Sequence, residues 1–422
     1  PPPPPFFNHP PTTQINTLSQ HDALPIWLIA AGGVLMQLAL GAVYAWSVFV
    51  KPLATSFGWN IAQITLTFSI AIFMLGIGAF IGGLWMNRKG PRIVGIAAGV
   101  LYGLGVLLAS LSADKLGLLY VSYGVLGGLG VGLGYIVPVA TLVKWFPDKR
   151  GMITGIAVAG FGAGALITAP VAAWLIKQVG VTHTFAILGV VYFFMVTIGA
   201  LIMRNPPAGW VPEGWKPSER MQSQRSVRDY TFKEALGTWQ WYALWGILFL
   251  NVVAGISIIS QAAPMAQQLT GVTALVAAGM VGIISIANGT GRLAWAWLSD
   301  AIGRRNVFIS MYLLQVLIFF AIPYMHSFVL FTSLAFIVLL CYGGGFGTMP
   351  AFATDYFGSK NIGPIYGLML TAWGFGGVLG PMLTAFLRES TGGYAQALHI
   401  IAVILLVATL LPLIIRRPAK SA

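Results

Sequence analysis

The sequence predicts an all-α membrane protein with twelve transmembrane helices, arranged as two six-helix bundles. Three observations predict it: the scarcity of charge, the long charge-free segments and an internal repeat. Only 8% of the 422 residues are charged and 57% are hydrophobic, whereas a soluble domain carries about 25% charged residues. A soluble globule of this composition would expose a large apolar surface to water, which soluble monomers rarely do. A lipid environment removes that difficulty.

Ten segments without Lys, Arg, Asp or Glu are long enough to cross a bilayer, since a transmembrane helix needs about 20 apolar residues. They are residues 23–50, 52–87, 93–113, 116–143, 151–176, 178–203, 235–291, 306–354, 361–387 and 390–415. Two of them, 235–291 and 306–354, are long enough for two crossings each. Their turn-forming residues place the divisions near 267–271 and near 323–327. The total is twelve helices.

Basic residues cluster in the loops on one side of the predicted membrane. The segments after the even-numbered helices, with the C-terminal tail, hold 18 of the 23 Lys and Arg residues. The positive-inside rule therefore predicts that both termini are cytoplasmic, in the cell (inner) membrane. The net charge of +13 thus reflects the basic residues of the cytoplasmic loops. It does not indicate a nucleic-acid partner, because a nucleic-acid site would need clustered basic residues with interleaved aromatics. A weak interaction with anionic lipids is compatible with it.

The chain repeats itself at a nearly constant spacing. Residues 87–92 match 300–305 at an offset of 213, and residues 132–138 and 162–164 match 344–350 and 374–376 at an offset of 212. Repeats that run in the same direction place two bundles side by side around an axis along the membrane normal, with the site between them.

The repeat also divides the chain into domains. We assign 27–203 to the first six-helix bundle, 204–237 to a polar cytoplasmic linker, and 238–422 to the second bundle with a short tail. Residues 1–26 begin with five prolines and contain no Lys or Arg. They lack the basic start of a signal peptide and are expected to be a non-native or disordered segment.

No motif of an enzyme or of a nucleotide site is present: G-x-S-x-G, H-E-x-x-H, the P-loop and a complete G-x-G-x-x-G are all missing. The glycines of 124–134 could be mistaken for a phosphate loop, but in an apolar helix such spacing more often allows close helix packing. Cys341 is the single cysteine, which excludes a disulfide framework. We expect no enzyme activity, no cofactor and no metal site.

Arg292 lies inside a predicted helix without an acidic partner, because all ten Asp and Glu residues fall in loops or at helix ends. Burying it costs about 2.5 kcal/mol or more. It precedes Asp300 by eight residues, about 12 Å along a helix, which is near the middle of a hydrocarbon core about 30 Å thick. Either the guanidinium snorkels or is held by backbone carbonyls, or the missing anion is a substrate carboxylate held in bidentate fashion.

Polar and aromatic residues on other helices could complete a small pocket around Arg292. Asn288 lies one turn before it, on the same face, where it either orients the guanidinium or packs between helices. Tyrosine hydroxyls at depth need partners, which a carboxylate or a hydroxyl of a substrate would supply. The further candidate residues are Tyr44, Tyr135, Tyr342 and Phe346. Each of them either contacts the substrate or belongs to the core packing.

The repeated loops carry a recognisable signature. Residues 83–92 (GLWMNRKGPR) resemble the G-x-x-x-D-R-x-G-R-R motif of the major facilitator superfamily, with Asn87 in place of the usual Asp, whereas the second copy keeps Asp300. The resemblance covers residues 27–417 and implies that the motif ties helix ends together and gates the cytoplasmic side. The motif residues are Asn87, Arg88, Gly90, Arg92, Asp300, Gly303 and Arg304. Asn87 is expected to weaken one ion pair of that gate.

A narrower resemblance follows from residues 145–151 (WFPDKRG), residues 41–46 (GAVYAW) and Arg292 before a Ser-Asp-x-x-Gly-Arg turn. They resemble the oxalate/formate antiporter family, close kin of the monocarboxylate transporters. In the oxalate exchanger a dicarboxylate is held by two cations, the arginine and a lysine on helix 11. Alignment through Tyr366 and Gly367 places Trp373 at that lysine. The resemblance therefore implies one cation for one carboxylate, with Trp373 as a gating or structural residue.

The animal monocarboxylate transporters differ at two positions. They have an aspartate where this chain has Asn288 and a lysine where it has Tyr44, so the ionisable pair thought to couple the proton there is absent. The overall pattern resembles most closely the bacterial L-lactate:proton symporters of the monocarboxylate type.

These features predict a monomeric secondary transporter that moves a small monocarboxylate anion, such as L-lactate or pyruvate, with a proton by alternating access. Arginine cannot carry the proton, since its pKa exceeds about 12, which leaves the substrate carboxylate or Asp300. Two alternatives remain: an oxalate/formate type of organic anion antiporter, and a membrane receptor that binds carboxylates without moving them.

Overall fold

The computed structural model describes residues 26–59, 61–113, 115–147, 150–207, 210, 229–391 and 393–418. Almost all of the segment 1–26 and most of the linker 204–237 lie outside the described residues, as do Asp114, Asp148 and Lys149. The predictions for these parts stay predictions.

Six apolar helices form the first half. α1 comprises Ile26–Leu40, a 3-10 stretch Gly41–Trp46 and Ser47–Phe57; α2 is Ile61–Lys89; α3 is Pro91–Ala109; α4 comprises Leu116–Leu119, a π-helical stretch Tyr120–Gly127 and Gly128–Trp145; α5 and α6 share Arg150–Ile202. The last two meet at Gly180, where φ of 82° and ψ of 167° break the helix.

Six further helices form the second half, after a short helix at Phe232–Leu236. α7 is Trp239–Thr270; α8 is Ala274–Ile302; α9 is Arg304–Ala321, followed by a 3-10 turn Ile322–Tyr324; α10 is Phe328–Phe357; α11 comprises Ile362–Met369 and Thr371–Thr391; α12 comprises Ala395–Ala408 and Leu410–Ile414. The ends of α7 and α9 fall at the two divisions that the turn residues predict.

Ten stretches of the described residues are long and apolar enough to cross a membrane. One of them, Gly151–Ile202, contains both α5 and α6, and α8 completes the set of twelve. Large apolar side chains cover the outside of the bundle, such as Leu317 and Val329, which are 69% and 70% exposed. Such a surface fits lipid and not water, so the prediction of an all-α, twelve-helix membrane protein is confirmed.

The repeat is visible in the backbone. Gly90 between α2 and α3 has φ of 82° and ψ of 169°, and Gly303 between α8 and α9 has φ of 94° and ψ of 149°. Residues other than glycine rarely adopt such positive φ values. The same glycine turn therefore recurs at the same place in both halves. We call the end of the bundle that carries these two turns the basic end, and the other the opposite end.

The two halves contact each other through α5 against α8 and through α2 against α11. Small residues permit the approach: a Cβ at Gly83 would collide with the backbone of Gly363, and one at Gly151 with the backbone of Ala296. Glycines also bring α4 onto α2, where a Cβ at Gly132 would collide with the backbone of Leu75. The glycine-rich segment 124–134 thus serves helix packing.

Candidate functional site

The candidate site surrounds Arg292, in the interior of α8. This residue lies ten residues before the helix ends at Ile302, which is about 15 Å from the basic end. Its side chain is fully buried, with 0% exposed. The guanidinium therefore does not snorkel to the surface, and the question is what compensates its charge.

The contacts of Arg292 leave part of the guanidinium without a partner. Nε donates to Oδ1 of Asn288 over 3.3 Å, so Asn288 orients the side chain from one turn away. Nη1 donates to the carbonyl oxygen of Val158 on α5 over 3.4 Å. Nη2 is buried and has no hydrogen-bond partner among the described residues. No ion pair between Arg292 and a carboxylate is found in the part of the chain that the structure describes.

Two aromatic rings flank the guanidinium. Its Cζ atom lies 5.3 Å from the ring centroid of Phe161 on α5 and 5.1 Å from that of Phe346 on α10. A cation over a desolvated aromatic face is stabilised by about 2 kcal/mol. The rings therefore offset part of the cost of burying the charge, but they supply no anion.

Trp373 on α11 connects the aromatic residues around Arg292. The centroid of its ring lies 4.4 Å from Phe346, 5.6 Å from Phe161 and 5.6 Å from Tyr135. The indole is fully buried. The residue that the family resemblance aligns with a second cation thus packs against both rings that flank Arg292, and it is neutral.

Three tyrosines complete the cluster. The hydroxyls of Tyr44 on α1 and Tyr342 on α10 form a hydrogen bond of 3.5 Å across the two halves. Tyr135 on α4 packs edge-on against Phe161. All six predicted pocket residues, drawn from four helices, therefore come together in one place.

Sequence analysis missed Phe161, because no charged or hydrogen-bonding candidate lies one turn from it on α5, as Tyr342 does from Phe346 on α10. A signal was present in the repeat. Phe161 directly precedes the repeated glycines of 162–164, and the offset of 212 relates it to Trp373. The two residues face each other across the site as copies of one position.

At the basic end, Asp300 joins the two halves. Its Oδ1 and Oδ2 accept from the backbone N–H groups of Gly151 over 3.2 Å and Met152 over 2.9 Å, at the start of α5. A carboxylate at a helix N-terminus is favourable because the helix dipole is positive there. Arg304 forms ion pairs with Asp300 over 2.5 Å and with Asp355 over 3.1 Å. This network connects α5 with α8, α9 and α10.

The other copy of the motif forms a neutral contact. Nδ2 of Asn87 donates to Oδ1 of Asn361 over 2.8 Å, at the start of α11. The offset of 212 relates Met152 to Pro364, and proline has no N–H. The start of α11 therefore offers one hydrogen-bond donor fewer than the start of α5. The amide of Asn87 suits this helix start because it can itself donate a hydrogen bond. In place of the weakened ion pair that the motif predicts, the structure has a hydrogen bond between two amides.

The remaining motif residues lie at the same end. The side chains of Arg88 and Arg92 are exposed, and Gly90 and Gly303 form the two turns described above. No described residues form a cluster of His, Cys, Asp or Glu that could hold a metal ion.

Most of the chain matches a known protein family. The family described as Major Facilitator Superfamily matches residues 29–351 and 252–422. The chain belongs to the major facilitator superfamily. It is a multi-pass membrane transporter and not an enzyme, as the motif resemblance predicts.

Three curated relatives and one solved structure place it more closely. It is 32% identical to "Uncharacterized MFS-type transporter YhjX" of Escherichia coli, over 83% of this chain and 86% of the relative. It is 27% identical to the "Oxalate:formate antiporter" of Oxalobacter formigenes, over 82% of each chain. Identity to "Monocarboxylate transporter 12" of Rattus norvegicus is 26%, over 91% and 84%. The crystal structure of FucP in the outward conformation superposes with a TM-score of 0.70 at 17% identity, covering 92% of this chain and 98% of FucP, which shows the fold.

Proposed function

We propose that this protein carries a small monocarboxylate of the L-lactate or pyruvate type together with a proton, and that Arg292 binds the carboxylate. The observation that carries the proposal is a fully buried guanidinium whose Nη2 has no hydrogen-bond partner among the described residues. A buried charge without a counter-ion is costly. A substrate anion would remove that cost while it is bound.

The geometry of the guanidinium suits a carboxylate. Asn288 occupies Nε and fixes the plane of the group. The 3.4 Å contact of Nη1 with the carbonyl of Val158 is long, and a charged acceptor forms shorter and stronger hydrogen bonds. A carboxylate that accepts from Nη2 and displaces this carbonyl would use both terminal nitrogens.

The aromatic surroundings favour a small substrate with one charge. Phe161, Phe346 and Trp373 add apolar faces and no second cation to the pocket, so a second carboxylate would be buried without a partner. These faces suit the methyl group of lactate or pyruvate. The hydroxyls of Tyr44, Tyr135 and Tyr342 are the groups that would accept or donate at the 2-hydroxyl or 2-oxo position.

The proposed coupling to a proton rests on the cost of moving an anion against the membrane potential. An anion that enters a negative-inside cell is opposed by about 2.3 kcal/mol per 100 mV, and a co-transported proton makes the cycle electroneutral. Asp300 is held by Arg304 and by two backbone N–H groups at the basic end, about 12 Å along the helix from Arg292. The two candidates for the proton therefore stay the substrate carboxylate and Asp300, and we propose that the proton crosses in the same step as the bound anion.

The membrane orientation belongs to the same proposal. The basic end, which carries most Lys and Arg residues, would face the cytoplasm of an inner membrane, with both termini on that side. The protein would work as a monomer, because the site lies between the halves of a single chain.

Exchange of organic anions, the activity in the name of the Oxalobacter relative, is the second candidate. The neutral Trp373 beside Arg292 disfavours it for dicarboxylates. Counterflow of labelled substrate in the absence of any proton gradient would favour it.

Transport in proteoliposomes tests the proposal. We expect an inward proton gradient to drive accumulation of labelled L-lactate, and an imposed membrane potential alone to drive none. Arg292→Gln should abolish uptake. Arg388→Gln is a matched control, since Arg388 lies over the ring of Tyr394 near the end of α11, away from the site. Undiminished uptake by Arg292→Gln would refute the binding role of Arg292.

A further inference from the structure

A second cavity lies at the basic end of the second half, apart from the substrate site. Its volume is about 350 Å³, and it lies between the start of α9, the last turns of α10 and the segment after α12. Its charged lining consists of Arg304, Arg305, Arg416, Arg417 and Asp355. Four guanidinium groups thus line the cavity with one carboxylate, and one of them, Arg304, also pairs with Asp300. The remaining excess of positive charge points to an anionic ligand.

The single carboxylate is already shared. Asp355 pairs with Arg304 over 3.1 Å, and its charge also acts on Arg417. Burial nevertheless lowers the pKa of Arg417 from its ordinary value, as expected for a cation that is removed from water. Arg305 and Arg416 are exposed at the mouth of the cavity, and Arg305 donates to the carbonyl oxygen of Leu413 at the end of α12.

The surroundings of the cavity distinguish a lipid from a soluble anion. Leu413 and Ile414 at the end of α12 are 42% and 56% exposed, and Ile302 at the end of α8 is 36% exposed. Ile302 lines the cavity, and Leu413 and Ile414 directly precede Ile415, which also lines it. A phosphate group in the cavity would therefore continue into acyl chains that run along these exposed side chains.

The depth is that of lipid headgroups. α9 begins at Arg304 and α12 ends at Ile414, so the four arginines lie where the apolar helices end. Basic pockets between transmembrane helices at this level bind phospholipid headgroups, and arginine binds phosphate oxygens in bidentate fashion.

We propose that this cavity binds the phosphodiester headgroup of an anionic phospholipid, with Arg305 and Arg416 as its outer ligands. The chemistry, a phosphate ester, is shared with soluble phosphate esters, and the apolar surface at its mouth assigns it to the lipid. The site is independent of the transported substrate.

The test compares two double variants of equal charge. Arg305→Gln/Arg416→Gln removes the outer ligands and leaves Arg304, which holds Asp300 in place at the contact between the halves. Arg88→Gln/Arg92→Gln removes two exposed arginines at the same end of the first half. Each protein, purified in detergent and depleted of lipid, is titrated with phosphatidylglycerol, phosphatidylcholine or glycerol 3-phosphate. Bound lipid is counted by native mass spectrometry, and the melting temperature is recorded.

We expect phosphatidylglycerol to bind to the unchanged protein and to raise its melting temperature, and Arg305→Gln/Arg416→Gln to weaken this binding about tenfold or more. The first-half double variant should bind as the unchanged protein does. Equal losses in both double variants, equal binding of phosphatidylcholine, or equal protection by glycerol 3-phosphate would each overturn the proposal. Arg416→Gln alone, in the exposed tail, replaces the double variant if that fails to fold, with a smaller loss expected.

Discussion

Replacement of Asp300 by asparagine is expected to open the basic end. Asp300 accepts two hydrogen bonds from the start of α5, from Gly151 over 3.2 Å and from Met152 over 2.9 Å. These bonds cross between the halves and must break when the basic end opens. The ion pair of Asp300 with Arg304 lies within the second half, so it persists in both conformations and does not enter the difference.

The magnitude follows from these two bonds. A hydrogen bond to a charged group contributes about 1.5–3 kcal/mol and one between neutral groups about 0.5–1.5 kcal/mol. Asparagine has a single acceptor oxygen, so one of the two bonds weakens by about 1 kcal/mol and the other is lost, at about 1.5–3 kcal/mol. The lost interaction with the dipole of α5 adds about 0.3–1 kcal/mol. The Asp300 side chain is 27% exposed, which leaves most of this effect unscreened. A total of about 3–5 kcal/mol lowers the ratio of closed to open molecules by roughly 150- to 5,000-fold.

A distance measurement across the basic end reports this shift. The chain has one cysteine, and Cys341→Ser gives a background in which spin labels can be placed at Lys89→Cys on α2 and Lys360→Cys before α11. Double electron–electron resonance should show a longer distance population in Asp300→Asn. Asp229→Asn is the control, because Asp229 lies in the linker and accepts from the backbone of Lys360, not from the start of α5. An unchanged distribution in Asp300→Asn, or the same widening in Asp229→Asn, would refute the reasoning.

Three further substitutions test the site and the contact between the halves. Asn288→Asp places a carboxylate one turn from Arg292, where it should pair with the guanidinium. The concentration of unlabelled L-lactate that halves the uptake of labelled L-lactate should then rise about tenfold or more, and an unchanged concentration would contradict this. Trp373→Lys adds a second cation, so oxalate should become an inhibitor of L-lactate uptake. Uptake that oxalate does not inhibit would contradict the placement of residue 373 in the binding pocket. Gly83→Ala adds a Cβ that collides with backbone where α2 meets α11, whereas Gly117→Ala meets open space. Uptake at equal expression should fall several-fold only in Gly83→Ala, and equal rates would contradict the close packing.

The fold was predictable because the charges are so unevenly placed. A hydrocarbon core excludes Lys, Arg, Asp and Glu, so charge-free segments mark its helices directly, and the turn residues at 267–271 and 323–327 divide the two long segments at the ends of α7 and α9. Helix details were not predictable in this way. The π-helical stretch Tyr120–Gly127 and the 3-10 stretch Gly41–Trp46 depend on packing between helices, which hydropathy does not encode.

Most members of the candidate site were predictable, but one of the two phenylalanines that flank Arg292 was not. Arg292 stands out because a buried cation is costly, and Asn288 follows from helical spacing. Phe161 carries no such signal, and only its position in the repeat relates it to Trp373. The amide contact of Asn87 with Asn361 was likewise not predictable from the motif, because it depends on which residues begin α11.

Binding of L-lactate to the purified protein tests the central claim most directly, because it separates recognition of the carboxylate from proton coupling and from gating. Isothermal titration calorimetry would compare L-lactate with L-lactamide, a neutral molecule of nearly the same shape, on the unchanged protein and on Arg292→Gln. If Arg292 receives the carboxylate, the unchanged protein binds L-lactate and not L-lactamide, and Arg292→Gln loses that preference. Equal binding of both molecules to the unchanged protein, or an intact preference for L-lactate in Arg292→Gln, would contradict the account.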